Sequence, residues 1–331
     1  MILIVGGAGY IGSHVNKVLN MNGYETIVLD NLVYGHREAV KWGRFIEGNI
    51  ADSALLDKIF KEDKIDAVMH FSAFAYVGES VQDPAKYYIN NVVNTVNLLE
   101  AMRRNGVSNF IFSSTCATFG EVEKMPIVET LPQNPINPYG RTKLMVERIL
   151  EDYRVAYGMN YCVLRYFNAA GADPEAEIGE LHNPETHLIP LILDVAAGKR
   201  EHISVFGDDY PTPDGTCIRD YIHIFDLASA HILAMEHIIK NKCSDNFNLG
   251  NGKGYSVKDV IKATAEITGR KISVQIQGRR AGDPPELVGS SEKAYNILGW
   301  KPEFDLNRII ETAWRWHQKV QDGKAFKSLG L

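Results

Sequence analysis

The chain has 331 residues, 45% of them hydrophobic and 23% charged, enough for a large core divided between two lobes. A formal net charge of −6 argues against a general nucleic-acid or membrane surface, so an anionic ligand must meet a local basic cluster. No apolar run approaches the ~20 residues of a membrane span, and the apolar start lacks the basic flank of a signal peptide.

The first elements predict nucleotide binding. Ile2-Leu3-Ile4-Val5 is a short β-branched run that reads as a buried parallel strand. Gly6-Gly7-Ala8-Gly9-Tyr10-Ile11-Gly12 follows at once, and a helical pattern continues through Val15, Val18 and Leu19. Glycines here permit a tight turn, close backbone approach to a pyrophosphate and close helix–strand packing, with the helix N-terminus facing the phosphate charge. Thr26-Ile27-Val28-Leu29 predicts a second strand that ends on Asp30, 18 residues beyond Gly12. An acid there accepts hydrogen bonds from the adenosine ribose hydroxyls. A 2′-phosphate would meet like charge, and Asn31 and Leu32 offer no cation, so NAD is favoured over NADP.

Further along, Ala67 to Phe71, Asn109 to Phe112 and Tyr161 to Leu164 predict strands. Ser53 to Lys61, Pro84 to Arg104 and Pro138 to Tyr157 predict helices. The alternation implies an α/β fold with a Rossmann-type doubly wound parallel sheet. Beyond Ala169 the pattern breaks into a polar segment, Gly171 to Glu185, and then into loops rich in Gly, Pro and Asp at 207–215 and 278–285. We therefore expect a dinucleotide-binding domain over 1–168, rejoined near 217–240, and a smaller mixed α/β substrate-binding domain over 169–331. The end from Gln321 reads as marginally ordered. The four cysteines at 116, 162, 217 and 243 lack metal-ligand spacing and suit a reducing cytoplasm, with Cys162 in a core strand. The ten histidines are scattered, His70 reads as structural, and no metal is expected.

Asn137-Pro138-Tyr139-Gly140-Arg141-Thr142-Lys143 carries the most chemical information. With Pro138 at a first helical position, Tyr139 and Lys143 lie one turn apart on the same face. A free phenol has a pKa of about 10, and bringing it to about 7 needs roughly 4 kcal/mol of differential stabilisation of phenolate. One ammonium falls short of that, so a second cation is expected, a role that an oxidised nicotinamide ring fills. An amphipathic Tyr beside a solvated Lys is the competing reading, and the upstream glycine loop argues against it.

With the glycine loop, Asp30, Ser113-Ser114-Thr115 and the Tyr139/Lys143 pair in this order, the chain resembles the extended short-chain dehydrogenase/reductase superfamily. Several further strings narrow the resemblance to the UDP-glucose 4-epimerase family. They are His70-Phe71-Ser72-Ala73, Val77-Gly78-Glu79-Ser80-Val81, Leu164-Arg165-Tyr166-Phe167-Asn168, Asp214-Gly215-Thr216, Arg219-Asp220-Tyr221-Ile222-His223 and Arg279-Arg280-Ala281-Gly282-Asp283. Together they cover roughly Met1 to Lys319.

The resemblance implies a resident NAD and reversible 4-epimerisation of UDP-galactose and UDP-glucose through a 4-keto sugar. Tyr139 would be the base, Lys143 would bind the nicotinamide ribose, and Thr115 would hold the sugar 4-oxygen. Cofactor contacts are implied for Gly6, Gly9, Tyr10, Ile11, Gly12, Asp30 and Asn31, then for Asn49, Ile50, Phe71, Ser72 and Asn90, and at the reacting end for Ser113, Tyr139, Lys143 and Tyr166. For the UDP-sugar the resemblance implies Asn168, Arg219 and Arg280 at the diphosphate and Asp283 at the uridine ribose. Leu188, Phe206 and Tyr221 would surround the nucleotide, with Thr115 and Leu287 at the sugar.

Related dehydratases and decarboxylases place an acid just after the active Ser/Thr, whereas Cys116 and Ala117 stand here. The chain also departs from the family pattern at Asn49 near the adenine, at Ala75 where some relatives carry a Lys, and at Leu287 where some carry a Tyr. Leu leaves more room than Tyr, so a UDP-N-acetylglucosamine 4-epimerase is the alternative, with UDP-pentoses behind it. An NAD-sensing protein without turnover would commonly lack the Tyr or the Lys, and both are present. The resemblance further implies a homodimer formed through Pro84 to Arg104 and Pro138 to Tyr157, and a place in galactose metabolism.

Overall fold

A computed structural model of the protein describes residues 1–280, 282–323 and 325. Strand and helix alternate from the start: β1 (Ile2–Val5), α1 (Tyr10–Met21), β2 (Thr26–Asp30), β3 (Arg44–Glu47), α2 (Ser53–Glu62) and β4 (Ala67–His70). Then come α3 (Val77–Gln82), α4 (Pro84–Tyr88), α5 (Asn94–Arg104), β5 (Asn109–Thr115), α6 (Pro138–Tyr157), β6 (Asn160–Tyr166) and β7 (Asn168–Ala170). The later part holds α7 (Leu188–Ala196), β8 (Ile203–Phe206), β9 (Ile218–Arg219), β10 (Tyr221–His223), α8 (Ile224–Asn241) and β11 (Asp245–Leu249). It ends with β12 (Tyr255–Ser256), α9 (Val257–Thr268), β13 (Val274–Gln277), β14 (Glu286–Leu287), α10 (Glu292–Leu298) and α11 (Leu306–Gln321).

Seven strands form one parallel sheet in the order β11-β6-β5-β4-β1-β2-β3. Both of its faces are covered, which explains the unbroken apolar run of β1. Ile2 and Ile4 join the core made with Val15 and Leu19 of α1 and Leu227 and Met235 of α8. Leu3 and Val5 point the other way, among Leu56 and Ile59 of α2, Leu98 of α5 and Val146 and Leu150 of α6. Full burial of each such side chain contributes about 1.5–3 kcal/mol. The chain leaves β1 towards β2 on one side and returns to β4 on the other, so the strand order reverses between β1 and β4. Ligands of such sheets bind at the carboxyl ends beside this reversal.

The smaller core gathers Ile189, Ile192 and Leu193 of α7, Val260 of α9 and Ile309 and Ile310 of α11. Short strand sets edge it: β12-β9-β14, the pair β13-β8 and the pair β10-β7. Three expectations need correction. The stretch Pro84 to Arg104 is interrupted by a π-helical turn, Ile89–Val93, instead of forming one α-helix. β5 runs on to Thr115, so Ser113 and Thr115 belong to the strand itself. The sheet takes back the chain as far as β11, past the segment near 217–240. Most of the end expected to be marginally ordered from Gln321 lies outside the described residues. Among the described residues no helix is long and apolar enough to cross a membrane.

Candidate active site

The glycine loop is pressed between strand ends. Gly6 has φ +79°, and a Cβ there would stand 2.5 Å from the Ser72 amide nitrogen just past β4. A Cβ on Gly12 would stand 2.4 Å from the Gly6 carbonyl oxygen, so this glycine serves helix–loop packing. Gly9 caps α1 without a side chain, which leaves the first-turn N–H groups facing outward for an anion.

Beside the loop opens a cleft between the ends of β1, β2 and β4. Of the expected cofactor residues it is lined by Gly6, Gly9, Asp30, Asn31, Asn49, Ile50, Phe71, Ser72 and Asn90. Asp30 is 8% exposed, and its carboxylate accepts the amides of Ala8 (2.9 Å) and Leu32 (2.8 Å). Burial raises its pKa, opposed by those amides. Tyr10 lies in a second, smaller cleft instead, where its hydroxyl donates to the Gly171 carbonyl at 2.6 Å. Tyr34 and Phe74 also line the main cleft, which the sequence reading missed. Only the position of Tyr34, four residues past Asp30, could have suggested one of them.

The reacting groups come from β5 and α6. The Asn137 side chain caps α6 by accepting the Gly140 amide at 2.8 Å, and Pro138 takes the first turn, which sets Tyr139 and Lys143 one turn apart. A Cβ on Gly140 would meet the Ala117 carbonyl oxygen at 2.5 Å, so α6 packs directly on the turn that follows Thr115. Ser113 and Thr115 share one face of β5, as residues two apart in a strand must. Lys143 Nζ donates to the Ser113 carbonyl at 2.7 Å, and the Tyr166 hydroxyl donates to Ser113 Oγ. The structure thus brings Ser113, Thr115, Tyr139, Lys143 and Tyr166 together. Ser114 faces away and donates to Glu147 at 2.5 Å, where Glu147 pairs with Arg165 in a buried ion pair that sequence reasoning did not find.

Burial governs the electrostatics. It pushes the Tyr139 phenol up to about 12, against the pull of the Thr115 hydroxyl bonded to it. It takes Lys143 down to about 7, opposed by Glu147. The sequence reading expected Lys143 to depress Tyr139 as a ready cation. Lys143 Nζ stands 6.0 Å from the Tyr139 ring centroid, so an ammonium held down by burial lends the phenol little help in the protein alone. Bringing the phenol from about 12 to about 7 requires roughly 7 kcal/mol. The deficit is larger than the sequence suggested. Burial also pushes the Cys116 thiol up to about 12, so it supplies no acid at neutral pH.

The residues expected at the UDP-sugar are spread over several short elements, with Asn168 on β7, Phe206 on β8, Arg219 on β9 and Tyr221 on β10. Asn168 donates through Nδ2 to the Asp220 carbonyl at 3.0 Å. The Arg280 guanidinium lies 3.7 Å from the Phe206 ring centroid. Leu287 of β14 pairs in register with Arg219 of β9, and Leu188 opens α7. Arg219 and Asp283, expected at the diphosphate and at the uridine ribose, form an ion pair with each other. Tyr221 is buried, with its ring in the smaller core. His70, read as structural, is buried with Nε2 2.8 Å from Thr95 Oγ1.

A glycine-lined cleft at the sheet's reversal point, with half-buried Tyr139 and buried Lys143 on the helix that packs against the end of β5, defines a nucleotide-dependent enzyme of the Rossmann type. The sequence profile of the NAD dependent epimerase/dehydratase family matches residues 2–250, and the chain belongs to that family. A UDP-glucose 4-epimerase of Halalkalibacterium halodurans is 53% identical over 323 residues, covering 97% of each chain. The crystal structure of the Brucella ovis UDP-glucose 4-epimerase in complex with NAD superposes with a TM-score of 0.93 at 52% identity, over 96% of this chain and 98% of that one. That of the Bifidobacterium longum enzyme in complex with NAD+ and UDP gives 0.92 at 37% identity, over 98% and 99%.

Proposed function

We propose that the protein interconverts UDP-galactose and UDP-glucose by inverting C4 through a 4-keto sugar, as an isomerase that keeps NAD bound. The observation that carries this is the juxtaposition of Thr115, Tyr139 and buried Lys143 beside the glycine-cradled cleft, with no acid following Thr115. The residues present fit the cofactor, since Gly6, Gly9 and Asp30 line one cleft and the first turn of α1 beside it carries no side-chain cap. Gly6, Gly9 and the start of α1 would hold the diphosphate, Asp30 the adenosine ribose, and Lys143 with Tyr166 the nicotinamide end. The bound cofactor would supply a reversible hydride acceptor for C4 of the sugar and a ring charge that favours phenolate.

The chain's own groups then manage one proton and one orientation. Tyr139 takes the proton of the 4-hydroxyl and later gives it back, and Thr115 bonds the 4-oxygen so that this proton transfer is aligned. Lys143 is protonated as Tyr139 loses its proton, which keeps the buried pair neutral overall. Arg219 and Arg280 supply the local cations that a net-negative protein needs for a diphosphate, and Arg219 must exchange Asp283 for that group.

The dinucleotide-binding domain in this reading comprises 1–168 rejoined by α8 and β11, and the rest forms the substrate-binding domain. A homodimer is supported by exposed Val81, Ile89, Val93 and Met145 on the adjoining surfaces of α3, the π turn and α6. The setting is the cytoplasm and galactose metabolism. The decisive assay follows UDP-galactose to UDP-glucose conversion without added reductant; absence of turnover on either UDP-hexose would refute the proposal. Tyr139→Phe should abolish or severely reduce turnover while NAD stays bound, and near-full activity would remove Tyr139 from its role.

A further inference from the structure

The polar segment after β7 holds two clusters of metal-ligating side chains, and the two differ in what fills them. Asp173, Glu175 and Glu177 surround Lys17, whose Nζ stands 2.9, 3.0 and 2.7 Å from their carboxylates. The chain's own ammonium occupies that centre. Glu180, His182, Glu185 and His187 form the second cluster, with ligand atoms all within 4.8 Å of one another and no Lys or Arg among them.

We propose that Glu180, His182, Glu185 and His187 bind one divalent transition cation of the zinc class. The geometry is a closed ring of alternating imidazole and carboxylate. His182 Nδ1 lies 3.2 Å from Glu180 Oε1 and 3.6 Å from Glu185 Oε2. His187 Nδ1 lies 2.7 Å from Glu180 Oε1 and 3.1 Å from Glu185 Oε1. Four ligands at bonds of ~2.0–2.1 Å around a tetrahedral ion stand roughly 3.3 Å apart, the spacing found here.

A second observation points to a ligand. The Glu180 side chain is only 7% exposed, yet its Oε1 has no properly directed hydrogen bond, and the same holds for His182 Nδ1. These atoms approach one another closely without being aimed at one another, as ligands converging on a shared centre do. Two imidazole nitrogens already meet the buried Glu180 oxygen, and a cation bound among the four groups would take the place of the protons through which they now pair. Two imidazoles with two carboxylates suit zinc or cobalt, whereas magnesium and calcium favour oxygen alone.

The site would act as a clip. His187 is the residue that opens α7, so the cation would tie Glu180 and His182 to the start of that helix, beside Leu188. The Tyr10 ring packs edge-on against His182 with centroids 6.2 Å apart, and Tyr10 begins α1. One ion would therefore fix the loop that joins the glycine-loop helix to the substrate lobe.

The test uses the full chain without an affinity tag, stripped with a chelator and titrated with Co²⁺. The expected result is the strong visible absorption of four-coordinate Co²⁺, saturating at one equivalent and displaced by Zn²⁺. Zn²⁺ should raise the thermal midpoint of the parent, and Mg²⁺ should not. His182→Gln and Glu185→Gln should each lose the cobalt absorption and the Zn²⁺ shift while retaining the parent's far-ultraviolet dichroism. Two variants guard against one that fails to fold. Absence of the visible band in the parent, or an unchanged band in both folded variants, would overturn the proposal and leave the cluster as a self-contained set of imidazole–carboxylate contacts.

Discussion

Tyr139 and Lys143 share one problem, because burial works against the charged form of each. The phenol stands near 12 and the amine near 7, so their neutral forms are favoured until something else contributes positive charge. Lys143→Met would strand Tyr139 with the cofactor's charge alone. The phenolate then loses its paired ammonium, its pKa rises, and the acidic limb of the kcat–pH profile should move to higher pH by about 1–2 units. A profile that keeps its position while falling in height would assign Lys143 to cofactor binding only. Thr115→Val removes the hydroxyl that bonds the phenol and should lower kcat by about 10²-fold or more, with NAD content unchanged. Single-turnover reduction of the bound cofactor would register that loss directly.

At the scale of elements, Tyr139 meets Thr115 because α6 begins against the turn that follows β5. Gly140 makes this approach possible. Its missing Cβ would lie 2.5 Å from the Ala117 carbonyl oxygen and 3.0 Å from Pro135 Cβ. Backbone cannot yield as a flexible side chain does, so Gly140→Ala should tilt the first turn of α6 away from β5. We expect turnover to fall at least 10²-fold, since an ångström of misplacement costs about that much, while the protein remains folded and holds NAD. Unchanged kcat would show that the turn and the helix do not set the reacting geometry.

The parts of this site that were legible in the sequence are local: the Gly6–Gly12 loop, Asp30 closing β2, and Tyr139 and Lys143 one turn apart. Each is read within a single element and its neighbour. Parts that depend on which strand ends lie side by side were not legible. Phe74 enters the cleft because β4 neighbours β1, and Ser114, Glu147 and Arg165 meet across β5, α6 and β6. Arg219 and Asp283 were each assigned by resemblance to a part of the ligand, and the contact between them depends on a register between β9 and β14 that no periodicity reveals. The Glu180 to His187 cluster was overlooked for a different reason. Its two histidines and two glutamates sit in a loop without a period to mark them, and their side chains converge only once the segment folds back on itself.

Across the whole molecule, four histidines are buried and held neutral at joints between elements. Burial lowers His14 and His231 to about 4, and His70 and His223 to about 3. His14 and His223 lie at the seam between the lobes. Both rings meet Phe225, at 6.1 and 6.0 Å between centroids, and His223 stacks on Phe304 at 4.0 Å. His70 and His231 flank the end of β4, with His231 4.9 Å from Phe71. In the unfolded chain each imidazole takes up its proton near 6.5, so between that value and about 4 the unfolded state binds more protons than the native one. The contribution of these four rings is therefore full above 6.5 and is lost as pH falls, by up to about 1.4 kcal/mol per pH unit for each. Asp220 and Asp226, which burial raises to about 6, act in the opposite sense below that value. The urea midpoint should drop steeply between about pH 6.5 and 4.5. His231→Gln, which cannot titrate in this range, should flatten that slope by up to one group's share. A slope unchanged by His231→Gln would mean that this ring is protonated in place, and that its packed surroundings tolerate the charge.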